Sequence, residues 1–320
     1  MKPTPAISRA PRRRRSMSRS PLWLRIVLGL LAVAVIACIG ISVYVGWKLS
    51  HPVPKALDDS PERLGLAYEN VQFPSREGGL TLKGWYLPGK VTEGEGAAVK
   101  PNIIMAHGYK NNRLQKSAEA LSLAKELTDR GYSVLMFDFR NAGESEGNVT
   151  SIGYYEKHDL LGAIDWMNKN HPGKLALLGF SMGASTSLLA AAEEPSVLGV
   201  VADSPFNHLT RYLKDNLPVW SNLPNFPFTP LILSILPPMI GVDTDQVDGL
   251  AAVDRIYPRP VLFIHSTKDP SIPYSNSESM WEKHKDKFEL WTTEAEGHAK
   301  NYPPLKAEYV QRVTAFLEKL

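Results

Sequence analysis

The sequence predicts an α/β protein, a mostly parallel sheet with helices on both faces, preceded by one apolar helix of membrane length. Three observations carry this. Short apolar runs alternate with helical periods from residue 65 to the C-terminus. One of those runs ends in a glycine-flanked serine, Gly179-Phe180-Ser181-Met182-Gly183. Near the start, residues 26–47 contain no charge at all. At 43% hydrophobic and 22% charged residues the 320-residue chain is not disordered as a whole. Its single cysteine, Cys38, excludes a disulfide framework and any cysteine-built zinc or iron–sulfur site.

In chain order, residues 1–25 hold eight basic side chains, Arg12 to Arg15 among them, and no acid. The net charge of +3 therefore leaves the other 295 residues at −5. Basic charge on a Pro- and Ser-rich end, rather than on a folded face, argues against nucleic acid as a partner. Residues 26–47 would cross a hydrocarbon core of roughly 30 Å at about 1.5 Å per residue. Trp23 at one end and Tyr44 and Trp47 at the other occupy the interfacial positions that aromatic rings favour. A cleaved signal peptide would have a shorter apolar region and small residues after it, and a lipoprotein would turn polar directly after Cys38. A membrane anchor fits better than either. The charge before the helix then places the N-terminus in the cytoplasm and the rest of the chain outside the cell membrane. The expected organisation is a basic cytoplasmic segment (1–25), a transmembrane anchor (26–47), a linker (48–64) and a folded domain (65–320). Residues 1–50 contain no chemical motif, so their deletion is expected to leave activity intact.

Within the folded domain, strands are predicted over 80–87, 102–106, 133–137, 175–179, 198–202, 260–265 and 288–292. Helical periods lie between most of them: Leu121, Ala124 and Leu127 precede Gly131, Leu160, Ala163, Ile164 and Met167 precede Gly173, and Tyr309 to Leu317 closes the chain. One connection is too long. More than 50 residues separate Asp203 from Pro260 where a crossover needs about 20. Residues 206–250 hold six prolines among Trp220, Phe226, Phe228, Leu231, Ile235 and Leu236, which predicts an inserted apolar cap over about that range. An extra packed helical layer is the alternative.

The glycine-flanked serine after a strand and before a small-residue helix has the form of a nucleophile elbow. A serine hydroxyl needs a base, and the base needs an orienting acid. His298, after Glu296-Gly297, and Asp269, after the strand 260–265, both fall at carboxyl ends of strands. The order Ser181, Asp269, His298 suits this arrangement. Asp203 is the rival acid. His107 and His265 are expected to hold loops. The remaining histidines lie in linker, helix or surface contexts. Backbone N–H groups of Tyr109 and Met182 are the candidate donors to an oxyanion. No phosphate loop, dinucleotide fingerprint or metal-binding helix motif is present, so neither metal nor cofactor is expected.

Taken together, His107-Gly108-Tyr109, the run Asp138 to Gly147, the serine motif, Asp269-Pro270-Ser271-Ile272-Pro273 and Gly297-His298 resemble the alpha/beta-hydrolase superfamily, in particular bacterial membrane-anchored esterase or serine-aminopeptidase-like hydrolases. The resemblance spans about residues 66–318. It implies an eight-stranded, mostly parallel sheet, Ser181 as nucleophile with Asp269 and His298 as partners, and no cofactor. The chain departs from the relatives' D-x-R-G-H-G-x-S at Asn141-Ala142 and has Ser266 where a glycine often follows the histidine. The expected activity is cleavage of a small-molecule or lipid-like acyl ester or thioester through an acyl-enzyme. Peptide or amide hydrolysis on the same triad, and a non-catalytic binding protein on this fold, are the alternatives.

Overall fold

The structure is a computed structural model that describes residues 21–90 and 100–320; the basic residues before position 21 lie outside it. Eight short runs pair into one sheet: β1 (Glu69–Pro74), β2 (Thr81–Leu87), β3 (Asn102–Ala106), β4 (Val134–Phe137), β5 (Leu175–Phe180), β6 (Val197–Asp203), β7 (Val261–Ser266) and β8 (Phe288–Thr293). Their spatial order is β1-β2-β4-β3-β5-β6-β7-β8. The pairings β1–β2 and β2–β4 are antiparallel, and all the others are parallel. Every residue of β4, β5 and β7 is buried, because both sheet faces are covered, and this is why they read as unbroken apolar runs. The residue pattern misses β1. As an edge strand it buries only Phe73, and Glu69-Asn70-Val71-Gln72 shows no apolar alternation.

Helices α3 (Glu156–Asn170), α4 (Met182–Glu193) and α7 (Gly249–Ile256) pack their apolar residues into one core, with Leu160, Leu188 and Val253 at its centre. Helices α2 (Ala120–Asp129) and α9 (Lys306–Leu317) fill a second with Leu123, Leu127, Val313 and Phe316. A short helix, α8 (Ser275–Trp281), adds Met280 to the first. Between β6 and α7 the long connection folds into α5 (Leu209–Ser221) and α6 (Asn225–Ile240). The prolines do not prevent a helix here. Pro230 lacks the N–H that would reach Phe226, but Phe226 is outside the helical conformation, with φ −103° and ψ 134°. Although α6 is mostly apolar, it buries only Thr229 and Ile232, and Phe226 is 82% exposed.

The chain divides into two units, Met1–Ile41 and Ser42–Leu320. The described part of the first is the start of α1 (Leu22–Ser50), a 29-residue helix long and apolar enough to cross a membrane. Its last turns belong to the second unit. There a side chain on Gly46 would meet Leu236 at 3.3 Å, and Leu49 is buried. The Leu49 carbonyl accepts from the Tyr109 hydroxyl at 2.5 Å, and that of Ser50 from the Thr150 N–H at 2.7 Å.

Residues 48–64 are likewise not a free spacer. Asn112 Nδ2 donates to the carbonyls of Lys55 and Ala56, Asn141 Nδ2 donates to that of Pro52, and Leu57 and Leu64 pack on the second core. Extended, proline-rich chain has no periodicity to betray such docking, yet its carbonyls are open to side-chain donors. The expectation that residues 1–50 are dispensable is therefore revised. Deletion of 1–41 should leave stability intact. Deletion of 1–50 removes the Leu49 side chain and two hydrogen bonds, and should cost about 2–4 kcal/mol. Equal urea midpoints for the two truncations would show that the helix end contributes nothing.

Candidate active site

The strand-to-helix turn after β5 leaves no room for side chains beside Ser181. A Cβ on Gly179 would lie 2.3 Å from the Gly183 carbonyl oxygen, and one on Gly183 would lie 2.2 Å from that of Ala106. The serine itself takes φ 53° and ψ −119°, a conformation costing about 1–3 kcal/mol outside glycine, and one that persists only where its surroundings enforce it. Its N–H donates to the Asp203 carbonyl at 2.8 Å. Only 7% of the residue is exposed, so its hydroxyl stands in a largely water-free turn.

The loop after β8 brings His298 to this hydroxyl. His298 Nε2 lies 2.6 Å from Ser181 Oγ, and Nδ1 lies 2.7 Å from Asp269 Oδ2. Asp269 stands after β7, where its other oxygen accepts from the N–H groups of Ser271 and Ile272 at 2.8 and 3.0 Å. Burial pushes the Asp269 carboxyl up. The His265 and His298 imidazoles and the Ile272 N–H outweigh burial and hold it well below the usual carboxylate range. An ionised carboxylate only accepts, so Nδ1 carries the proton and Nε2 is free to accept from the serine. His265 Nε2 donates to the Ile272 carbonyl at 2.9 Å and is 3.6 Å from Asp269 Oδ2, so it acts on the acid as an electrostatic neighbour. Its Nδ1 accepts from the Ser277 hydroxyl at 2.7 Å.

Asp203, the rival acid, has a different task. Its carboxylate accepts from Asn301 Nδ2 at 2.8 Å, the Ser204 hydroxyl at 2.9 Å and the Tyr309 hydroxyl at 3.0 Å. Burial pushes its pKa up against those bonds. Asp203 thus fastens Asn301, three residues beyond His298. A lone asparagine in a polar loop carries no signal in the sequence, and the residue pattern does not single it out. His107 is buried between two partners, Nδ1 donating to the Gly108 carbonyl at 2.8 Å and Nε2 accepting from the Phe139 N–H at 3.0 Å. Burial pushes it down, which suits a neutral ring that holds the turn. That turn reaches the serine, since a Cβ on Gly108 would meet Ser181 Cβ at 3.3 Å. Among the described residues, the N–H groups of Tyr109 and Met182 have no acceptor. The loop 138–147 is tied to its neighbours by buried ion pairs: Arg113 pairs with Asp138 at 2.6 Å and Arg140 with Asp159 at 2.7 Å. Asn141 also donates to the Thr150 hydroxyl.

This arrangement has counterparts. The S15 family of X-Pro dipeptidyl-peptidases matches residues 85–226. The uncharacterized protein YqkD of Bacillus subtilis is 32% identical over 310 residues, covering 92% of this chain and 97% of its own length. An esterase of Pyrococcus furiosus superposes with a TM-score of 0.69 at 25% identity, over 85% of this chain and 98% of its own. GrgF, an alpha/beta hydrolase from Penicillium, superposes with a TM-score of 0.60 at 21% identity, over 79% and 99%. The chain belongs to the alpha/beta-hydrolase superfamily. In this hydrolase, α5 carries an aromatic wall to the site. Tyr212 stacks on Phe206 at 4.8 Å and meets Trp220 edge-on at 5.3 Å, while Trp220 stacks on Tyr109 at 6.2 Å. Burial and the nearby Asp269 charge push the Tyr212 hydroxyl up, so it stays protonated. Among the described residues no cluster of three or more metal-ligating side chains is found.

Proposed function

We propose that this protein is a membrane-anchored serine hydrolase that cleaves carboxylic ester or thioester bonds. The observation that carries the reading is the continuous hydrogen-bonded chain from Asp269 through His298 to a serine in a strained elbow. In this mechanism Ser181 Oγ attacks the acyl carbon while its proton passes to His298 Nε2. Asp269 steadies the resulting imidazolium, and the N–H groups of Tyr109 and Met182 receive the developing oxyanion. His298 then protonates the leaving alcohol or thiol. Water, deprotonated by the same nitrogen, releases the acid from the acyl-enzyme. No cofactor enters these steps. The similarity to a solved esterase supports ester cleavage, and the S15 match supports amide hydrolysis on the same residues as the second reading.

In this reading α1 is the anchor, with the N-terminus in the cytoplasm and the hydrolase domain outside. A reporter joined after Leu320 should be active only outside the cytoplasm, and cytoplasmic activity would reverse that orientation. The insertion is the cap, and Trp220 lines the space for the acyl chain. The test is kcat/KM for esters of two to twelve carbons beside an Xaa-Pro anilide. Esters should be the faster class, rising toward medium chains by up to about fourfold per enclosed methylene at about 0.8 kcal/mol each. Trp220→Ala and Phe228→Ala should flatten the rise. A flat profile in the parent would remove the cap from substrate recognition, and faster cleavage of the anilide would favour the amide reading.

A further inference from the structure

Helix α6 is apolar on every side, yet it stands on the surface of the domain. Residues 216–242, which enclose it, contain no charged side chain. Its inner face packs Ile232, Leu233 and Leu236 on the first core. Its outer face is the row Pro230, Ser234 and Pro238, four residues apart and all exposed, with Phe226 before it and Met239 after it, both exposed as well. Ser234 supplies the only hydroxyl of that row, and it already donates to the Pro230 carbonyl at 2.8 Å. The face therefore offers water almost nothing to bind. A helix without a polar face is ordinarily covered, by a protein core or by lipid.

The position of α6 says which. Leu236 stands against Gly46 in the last turns of α1, where a side chain on the glycine would meet it at 3.3 Å. In the same turns Tyr44 and Trp47 are 64% and 53% exposed, and such rings suit the boundary between lipid and water. Helix α6 thus adjoins the point at which the anchor would leave the bilayer. With 16 residues it is about 24 Å long, too short to cross a hydrocarbon core of roughly 30 Å. Its carbonyls set the depth. Pro237 and Pro238 have no N–H, so the carbonyls of Leu233 and Ser234 lack the helical donor four residues on. A carbonyl without a donor is costly in hydrocarbon and is satisfied where headgroup water reaches it.

We propose that the outer face of α6 is a second membrane contact, lying along the lipid–water boundary of the bilayer that α1 crosses. This rests on the anchor reading of α1 and adds how the hydrolase domain meets the membrane. A free interfacial helix keeps a polar face for water; here the domain occupies that side of α6, so the helix needs none. Held at α1 and again at α6, the domain does not swing on a single tether, and its insertion faces lipid.

The test uses the full chain carrying Cys38→Ser, one copy per phosphatidylcholine nanodisc, with a fluorescent label on one introduced cysteine at a time. Phe226→Cys and Met239→Cys report on α6, Ile36→Cys on α1, and Gln311→Cys on α9, beside the other core. Phosphatidylcholine carrying a spin label near the headgroup should quench both α6 labels by about twofold or more and leave the Gln311→Cys label unchanged. A spin label near the end of the acyl chain should quench the label at Ile36→Cys. Quenching on α1 without quenching on α6 overturns the proposal and keeps the anchor. No quenching on α1 overturns the anchor reading, and the proposal with it. To separate docking from mere nearness to α1, Phe226→Glu and Pro230→Glu are combined with the label at Met239→Cys. Both positions are exposed, so the thermal midpoint should stay that of the parent. The two charges should lower the quenching by about half, and quenching that ignores them overturns the proposal. Labels on α6 that are shielded from aqueous iodide only when two copies share a disc would give this face to a second copy and overturn the proposal as well.

Discussion

Ser181→Ala is expected to abolish covalent labelling by a fluorophosphonate and to lower ester turnover by about 10⁴- to 10⁶-fold. The substitution removes one oxygen and nothing that holds the turn. The Ser181 N–H still donates to the Asp203 carbonyl, and Gly179 and Gly183 still allow the elbow to close. The thermal midpoint should therefore stay within a few degrees of the parent's. The loss should appear in kcat, because the hydroxyl contributes its bond only along the reaction path. Full labelling of this variant would move the nucleophile elsewhere.

Asp269→Asn should lower kcat by about 10⁴-fold, by analogy with other triads. An amide facing His298 Nδ1 can present N–H where the carboxylate presents only lone pairs. The imidazole then favours the tautomer protonated at Nε2, which cannot accept from Ser181. The sign of the pH dependence follows from the depressed pKa. In the parent, the stabilisation from ionised Asp269 is complete above the ordinary carboxylate range and is lost only as pH falls through the lower, folded value. Activity on the acid side should accordingly show no step from protonation of Asp269 within the ordinary carboxylate range. Such a step would mean that Asp269 is not held ionised.

Asp203→Asn should act differently. It removes a carboxylate whose burial is unfavourable, yet it weakens the bonds to Asn301 and Tyr309 that fix the loop of His298. Its effect should fall mainly on stability, with a loss of turnover far smaller than that of Asp269→Asn. A larger loss at Asp203 would transfer the acid role to it.

Much of this site was legible in the sequence because it depends on short-range regularities. Each of the three residues comes after a strand that the residue pattern predicts, and parallel strands place the residues after them along one edge of the sheet. The glycines around Ser181 announce a turn that excludes side chains. The 26–47 stretch declares its apolar length with no help from the fold, and the surplus of residues between β6 and α7 exposes the insertion through counting alone.

Other features were decided only in three dimensions. Asp203 and Asp269 both stand at carboxyl ends of strands and are equivalent by pattern; what separates them is that Asn301, Ser204 and Tyr309 take up the first, while the second keeps an oxygen for His298. The docking of 48–64 and the edge strand β1 rest on single carbonyls and one buried phenylalanine, which leave no period to read. A periodic pattern records which face of one element is buried, whereas charges and hydrogen bonds between distant loops are set by where the completed sheet brings their backbones together.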